Sequence, residues 1–174
     1  MSEIFVTSDT HFNHGRIIKY CDRPFVTVEE MNEELVKNWN RVVGKDDVVY
    51  HCGDFAMGGA AEIGSFVSRL NGRIKLIKGN HDRYGSSRLR DCGFAEVYDR
   101  PIIIQDYLIL SHAPMDTMVG RELPFFNIYG HVHDDSRYAT MAFSGACVCV
   151  ERWNYAPISL GDLKSIWNRQ FGEL

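Results

Sequence analysis

Short apolar runs that end in histidine- or aspartate-bearing segments dominate the first half of this 174-residue chain and constrain its fold more than any other feature. Residues 4–7, 47–52 and 73–78 are such runs, and each is typical of a buried strand. Two stretches with apolar residues at helical spacing lie between them. This β-α-β-α-β order predicts parallel strands joined by crossover helices.

Both intervening stretches carry helix signals. Thr27 and Glu30 offer a capping box for the first stretch, and the apolar residues that follow at helical spacing are Met31, Leu35, Trp39 and Val42. The second stretch, residues 60–70, places its apolar side chains on one stripe: Ile63, Phe66, Val67 and Leu70.

The second half of the chain has a different pattern. Short strands with few helices between them are predicted over residues 95–98, 101–105, 107–110, 125–129 and 147–151. This favours a second sheet with antiparallel pairs, and a closing helix is expected after the Ser159/Gly161 region. We therefore expect an α/β fold of two packed sheets with helices outside, in one domain over residues 1–174.

The composition is that of an ordinary globular domain. Hydrophobic residues make up 45% and charged residues 24%, which excludes a disordered or collagen-like chain. Lysine and arginine total 19 and aspartate and glutamate total 23, so the net charge is −4. A negative chain argues against a dedicated nucleic-acid binder, although bound metal ions would reverse the sign locally.

The cysteines and the N-terminal residues bear on location. Cys147 and Cys149 alternate in an apolar run and would share one face of a strand, so we interpret them as small buried hydrophobes rather than ligands. The odd total of five without C-x-x-C spacing fits a reducing compartment. No signal peptide or transmembrane segment is recognisable, so the cytoplasm is the expected location.

Candidate functional residues gather where predicted strands end. Five runs are each followed by histidine, aspartate or asparagine side chains, namely Asp9 and His11, Asp54, Asn80 and His81, His112, and His131 and His133. In open α/β sheets, sites form beyond the carboxyl ends of the strands. We therefore expect these side chains to meet at one rim.

These residue types point to metal. A mixture of imidazole, carboxylate and amide suits Mn, Fe, Zn, Ni or Co, and it suits Ca or Mg poorly. Asp-x-His and His-x-His spacing places two ligands on one side of an extended segment or around a tight loop. Seven candidate ligands exceed what one tetrahedral ion takes and fit two ions that share a carboxylate, as in two-metal hydrolases.

Each segment taken alone also has a structural interpretation. Asp9 could cap a helix that begins near Asn13, His112 could be a core or loop histidine, and residues 79–82 could form a polar left-handed turn. The ordered set of segments favours the metal site over these separate interpretations.

In this order, the segments resemble the calcineurin-like metallophosphoesterase superfamily. Its motifs D-x-H, G-D, G-N-H-[DE], H and G-H-x-H stand here as Asp9-Thr10-His11, Gly53-Asp54, Gly79-Asn80-His81-Asp82, His112 and Gly130-His131-Val132-His133. Residues 11–14, 21–25 and 153–160 also resemble small bacterial and phage members of the superfamily.

The resemblance implies a four-layer αββα sandwich of two mixed sheets and a dinuclear centre, with manganese as the expected metal. It implies that a water bridging the two ions attacks phosphorus, while His81 protonates the leaving oxygen or stabilises charge there. It assigns one ion to Asp9, His11 and His133, the bridging position to Asp54, and the second ion to Asn80, His112 and His131.

The second motif departs from the family pattern. Many members read G-D-x-x-D-R, whereas residues 53–59 of this chain lack the second aspartate and the arginine. A cation that contacts the phosphate must then come from elsewhere, and His14 could touch the substrate or a metal-bound water. The candidate cations, each of which could also be a solvated surface charge, are Arg16, Lys19, Arg23 and Arg83.

The expected activity is hydrolysis of a phosphate mono- or diester of a small molecule. A nuclease is the alternative among enzymes, and the negative charge and the lack of a basic strip with interleaved aromatics argue against it. A catalytically inactive protein-binding scaffold is the alternative of another class, which the presence of every predicted ligand and of His81 disfavours. Substrate choice is expected in short loops at residues 11–25, after His81 and at 115–125.

Overall fold

The computed structural model describes residues 2–115 and 125–172. The loop predicted at residues 115–125 therefore falls almost wholly outside the described residues. The strands are β1 (Ile4–Thr7), β2 (Val48–His51), β3 (Arg73–Ile77), β4 (Glu96–Tyr98), β5 (Ile102–Ile104), β6 (Leu108–Ser111), β7 (Phe126–Tyr129), β8 (Met141–Ala142), β9 (Gly145–Cys147) and β10 (Ile158–Ser159). The helices are α1 (Gly15–Tyr20), α2 (Val28–Val42), α3 (Ala60–Arg69), α4 (Ser86–Asp91) and α5 (Leu160–Phe171).

The described strands form two five-stranded mixed sheets. The first has the order β10-β1-β2-β3-β4, in which β1 to β4 are parallel and β10 is an antiparallel edge. The second has the order β5-β6-β7-β9-β8, with a parallel centre and antiparallel edges. The predicted α/β sandwich of two packed mixed sheets flanked by helices is confirmed.

Two apolar clusters hold the layers together, and β1 contributes to both because its side chains alternate between faces. Phe5 packs with Leu35 and Trp39 of α2 in the cluster between the first sheet and its helices. Val6 packs in the cluster between the two sheets. Trp167 of α5 joins this second cluster, and its ring centre lies 5.8 Å from that of Phe126.

Helix α2 begins where the sequence predicts, but only half of the expected capping box forms. The Thr27 hydroxyl accepts a hydrogen bond from the Glu30 backbone N–H at 3.2 Å. The Glu30 carboxylate accepts from the N–H of Val26 at 2.7 Å instead of returning to Thr27. Val42, predicted on the apolar stripe, is 38% exposed because it lies in the last turn.

Several local predictions were wrong. The strand expected over residues 147–151 ends at Cys147, and Val150–Trp153 form a 3-10 turn whose Trp153 indole N–H donates to the Cys147 carbonyl. Strand β4, expected among the second-half strands, pairs in parallel with β3 of the first sheet. Helices α1 and α4 were not predicted, because six residues give too little periodicity to detect.

The longest described helix has 15 residues, and none of the described helices has the length and apolar character needed to cross a membrane. The five cysteines all lie in described parts of the chain and are free thiols. Cys147 and Cys149 are buried as predicted, with their sulfur atoms 3.4 Å apart. Cys149 also lies 3.3 Å from the Asp9 carboxylate.

Candidate metal centre

The carboxyl ends of β1, β2 and β3 in the first sheet and of β6 and β7 in the second open onto one rim, where the loops that follow bring the predicted site residues together. Asp9, His11 and His133 form what we call the first ligand group. Asp9 Oδ1 lies 3.7 Å from His11 Nε2 and 3.6 Å from His133 Nε2. Residues from both sheets thus face one another across a few ångströms.

A second ligand group consists of Asp54, His112 and His131, with Asn80 beside it. His112 Nε2 lies 3.5 Å from Asp54 Oδ2 and 3.2 Å from His131 Nδ1. The Asn80 side-chain oxygen lies 2.9 Å from the same His112 nitrogen. Every residue that the family resemblance assigns to a metal ion therefore belongs to one of the two groups or contacts it.

Asp54 connects the two groups through a single oxygen. Its Oδ2 atom lies 3.6 Å from His11 Nε2 on one side and 3.5 Å from His112 Nε2 on the other. Its Oδ1 atom accepts a hydrogen bond of 2.8 Å from the backbone N–H of His81. One oxygen is thus held by the protein, and the other is left between the two groups.

The donor atoms fit a divalent metal. Asp9 Oδ1 and His11 Nε2 are buried without a hydrogen-bond partner among the described residues. Their separations of 3.6–3.7 Å from neighbouring ligand atoms exceed normal hydrogen-bond lengths. Donors about 2 Å from a common ion would be spaced on this scale. A cation between them would satisfy atoms that the protein leaves unpaired.

The backbone at these positions is locally strained. Asp9, His11, Asp54, His131 and His133 have φ values of 57°, 50°, 58°, 72° and 48°. Positive φ is uncommon outside glycine and persists where the surrounding structure enforces it, most often at functional sites. The tight left-handed turns let each loop bend sharply as it leaves its strand, so that side chains two positions apart face the same space.

Two motif glycines are required by close packing. A Cβ atom on Gly130 would overlap the Ser8 hydroxyl and Asp9 Oδ2, and a Cβ atom on Gly79 would overlap Asp54 Oδ1. The absence of a side chain at these positions lets the loops approach the two carboxylates.

Interactions among the charged groups at the rim shift their pKa values strongly. Burial alone would raise the pKa of Asp9, but its contact with His11 and the nearby charges of His133 and His112 lower that pKa well below its usual range. Burial opposes protonation of His133, yet Cys21, Glu151 and Asp9 together raise its pKa to about 11. Burial would also raise the pKa of Asp54, but its contacts with His112 and the His81 backbone N–H lower it. Asp9 and Asp54 therefore stay ionised and attract positive charge, whether from imidazolium or from metal.

The residues predicted to contact substrate lie around this rim. His81 is 33% exposed, and its Nε2 atom lies 3.9 Å from Asp54 Oδ2. A cavity of about 240 Å³ is lined by two members of each ligand group, and His14, Arg16 and Tyr20 also line it. A second cavity of about 320 Å³ lies on the other side of His81 and is lined by Met57, Gly58, His81, Arg83 and Tyr84 among others.

Two of the four candidate cations do not fit the predicted role. Arg23 is buried and paired with Glu151 at 2.6 Å, so it is unavailable to a phosphate. Lys19 is an exposed residue of α1 and lines neither of these two cavities. Arg16 and Arg83 line one cavity each, and within the described residues neither guanidinium has an ion-pair partner.

Sequence reasoning missed the roles of Asp82 and Glu151. The buried Asp82 carboxylate accepts hydrogen bonds from the N–H groups of Asp54, Phe55 and Gly79, which ties the second and third motifs together. Glu151 lies within hydrogen-bonding distance of His133, at 2.9 Å. The sequence did offer a signal for Glu151: a carboxylate directly after the apolar run of residues 145–150 is expected to be buried and to need a partner.

Comparison with known proteins identifies relatives of this chain. An uncharacterised protein of Methanocaldococcus jannaschii, MJ1445, is 39% identical over 167 residues, which cover 92% of this chain and 88% of that protein. The gene 66 protein of Mycobacterium phage L5 is 40% identical over 85 residues, covering 47% of this chain and 41% of that protein.

Among solved structures, a protein of unknown function from Aquifex aeolicus, AQ665, superposes with a TM-score of 0.72 at 24% identity, covering 95% of this chain and 100% of that one. This likeness concerns the fold alone. The family model for calcineurin-like phosphoesterases matches residues 2–155, a range that contains all five motifs and both ligand groups. The chain therefore belongs to the calcineurin-like phosphoesterase family.

Proposed function

We propose that this protein hydrolyses a phosphate mono- or diester with two divalent metal ions, of which manganese is the expected choice. The first ligand group would hold one ion, the second group with Asn80 would hold the other, and Asp54 would be shared. The observation that carries the proposal is the position of Asp54 Oδ2, at 3.5–3.6 Å from one histidine of each group. When bound, such a pair supplies a Lewis acid and an acidified water as nucleophile.

His81 is proposed as the general acid. The hydrogen bond from its backbone N–H to Asp54 Oδ1 positions the residue relative to the shared carboxylate. Its imidazole lines both cavities, and Nδ1 is buried without a hydrogen-bond partner among the described residues. A histidine between the reacting phosphate and the departing group can donate a proton to the leaving oxygen.

The two cavities suggest how an ester would lie. The cavity of about 240 Å³ is lined by members of both ligand groups and would take the phosphoryl group. The cavity of about 320 Å³ beyond His81 would take the leaving group, with apolar contacts from Met57 and Leu89. Met57 and Gly58 stand where many family members have aspartate and arginine, so Arg83 is the proposed replacement cation on this side.

Arg16 and His14 are proposed to contact the substrate from α1 and the loop before it. Burial and the neighbouring charges of His11 and His81 lower the pKa of His14 to about 4, so its ring is neutral near pH 7. His14 Nδ1 lies 3.1 Å from His11 Nδ1, so His14 also orients a ligand. Arg16 supplies the positive charge that a neutral imidazole does not.

The proposal is tested by stripping the purified protein of metal, reloading it with Mn²⁺, and comparing bis(p-nitrophenyl) phosphate with p-nitrophenyl phosphate. We expect metal-dependent turnover of at least one ester. Preference for the diester would direct the search to cyclic nucleotides and oligonucleotides, and preference for the monoester to nucleotides and phosphoproteins. Two bound ions without turnover of either ester would contradict the proposal and favour a protein-binding scaffold.

A further inference from the structure

Two segments that the phosphoesterase chemistry leaves unused meet behind the first ligand group. Residues 21–25 and 153–160 are far apart in sequence, yet the rings of Phe25 and Tyr155 lie 4.9 Å apart in an edge-to-face contact. The Arg23 guanidinium lies 5.9 Å from the centre of the same Tyr155 ring. Arg23 also forms a buried ion pair with Glu151 beside this aromatic contact.

Arg23 ties this pair to the first motif. Its guanidinium is fully buried and donates to Glu151 Oε1 from Nε at 2.9 Å and from Nη2 at 2.6 Å. It also donates to the carbonyl oxygen of Asp9 at 2.7 Å and to that of Thr10 at 2.9 Å. All three guanidinium nitrogens are thus used, and two of them hold the loop that carries Asp9 and His11.

Glu151 ties the same pair to the last motif. Glu151 Oε1, which accepts the hydrogen bonds from Arg23, also lies 2.9 Å from His133 Nδ1, within hydrogen-bonding distance. A hydrogen bond at Nδ1 selects the ring tautomer and leaves Nε2 free, and His133 Nε2 is the atom that faces Asp9 Oδ1 at 3.6 Å. Arg23 and Glu151 therefore join loops from both sheets at the first ligand group.

We propose that Glu151 and Arg23 are positioning residues for the first metal ion: Glu151 orients His133, and Arg23 holds Glu151 and the Asp9–Thr10 backbone. This inference rests on the proposed function in assuming that the first group binds a divalent ion. The strained left-handed backbone at Asp9, His11 and His133 needs such external support. The Cys21 thiol lies near Glu151 and His133, but Glu151 is already paired with Arg23.

The test measures Mn²⁺ binding by competition with a chromophoric chelator. In Glu151→Gln, we expect affinity at one of the two sites to fall roughly 10- to 100-fold, the usual effect of removing an outer-shell partner, with the other site unchanged. Glu33→Gln is the matched control, because Glu33 also pairs with an arginine, Arg69 at 2.6 Å, but contacts no ligand.

A double substitution separates positioning from a merely structural role. If Glu151 acts through His133, Glu151→Gln should add little further loss of metal affinity in a His133→Ala background. If the ion pair only stabilises the fold, the two losses should add. Thermal unfolding of the metal-free variants identifies any general destabilisation, and Glu151→Asp, which keeps the charge and shortens its reach, replaces Glu151→Gln if that variant fails to fold.

Wild-type affinity at both sites in a folded Glu151→Gln or Glu151→Asp protein would overturn the positioning role. A wild-type protein that binds two ions but hydrolyses no ester would overturn the proposed function alone, because the affinity comparison could still be made. A wild-type protein that binds no divalent ion would overturn both.

Discussion

The two ligand groups differ in how firmly the surrounding protein holds their side chains before a metal ion binds. In the first group, Asp9 and His11 are almost wholly buried, at 0% and 2% exposure, and hydrogen bonds from outside the group reach each member. In the second group, His131 and the neighbouring Asn80 are exposed. Asp54 and His112 of the second group are also largely buried, and hydrogen bonds with the His81 backbone N–H and the Cys52 carbonyl position them. The two groups therefore differ at His131 and Asn80, which open the second group to solvent at the rim.

This difference has a physical consequence for metal binding. Ligands whose directions are already set lose little conformational freedom when an ion arrives, so the first group should bind its ion more tightly. Exposed ligands would bind and release an ion more easily, and an ion held there would be open to substrate. Holding one ion firmly and presenting the other to solvent would separate structural from substrate-facing roles.

Asp54→Ala should reduce activity more than any other single substitution proposed for this protein, because it removes the side chain that joins the two groups. We expect loss of at least one ion and a fall in kcat of roughly 10³-fold or more, on the scale of losing a principal electrostatic group. Metal content and Mn²⁺-dependent hydrolysis are measured together, with Asp135→Ala as a surface carboxylate control. Full metal occupancy with near-wild-type activity would rule out a shared carboxylate.

His81→Ala should cost roughly 10²–10⁴-fold in kcat for an ester whose leaving group needs a proton. The same variant should lose much less on a p-nitrophenyl ester, because p-nitrophenolate departs without protonation. The comparison of the two substrates within one variant is its own control. Equal losses on both substrates with unchanged metal content would remove His81 from the general-acid role.

Substitution of one histidine from each group tests the comparison directly. In a Mn²⁺ titration, His131→Ala should abolish or weaken the lower-affinity site by at least roughly 10- to 100-fold and leave the tighter one in place. His133→Ala should weaken the tighter site instead. If the two ions bind with equal affinity in the wild-type protein, the difference in burial and hydrogen bonding between the groups does not affect metal affinity.

Arg16→Ala and Arg83→Ala should each raise KM by roughly 3- to 30-fold with a smaller change in kcat, because each removes a charge-assisted contact at the edge of a cavity. The effect should weaken with added salt, since both side chains are exposed. Arg41→Ala removes an exposed arginine from the end of α2, away from both cavities, and controls for net charge. Unchanged KM in both variants would leave the replacement cation unassigned.

The remaining prediction concerns stability beneath the first group and leaves activity aside. Burial, aided by the charges of His112 and His11 and opposed by those of Asp9 and Asp54, lowers the pKa of His51 to about 3. The unfolded chain binds this proton near pH 6.5, so stability is lost as the pH falls below that value, by up to about 1.4 kcal/mol per pH unit. Urea unfolding of metal-free protein should show a steeper loss between pH 6.5 and 4 in the wild type than in His51→Phe.

Much of the fold follows from local pattern. The bounds of β1 matched the prediction, and β2, β3 and α3 differed by one or two residues, because each has a short apolar run, an alternating apolar pattern or a clear apolar stripe. The short elements could not be predicted from local pattern. Strands β8 and β10 have two residues each, and their pairing depends on neighbours far along the chain rather than on periodicity.

Short-range features of the chain predicted the chemistry of the rim, because the types of the candidate ligands, their spacing and their place after apolar runs can all be read along the chain. The packing of the two sheets established the rest: which candidate ligands share a group, that one oxygen of Asp54 lies between the groups, and that Arg23 is buried rather than available to phosphate. Arg23 and Glu151 are 128 positions apart. Their contact depends on how two sheets pack, and local pattern carries no information about that packing.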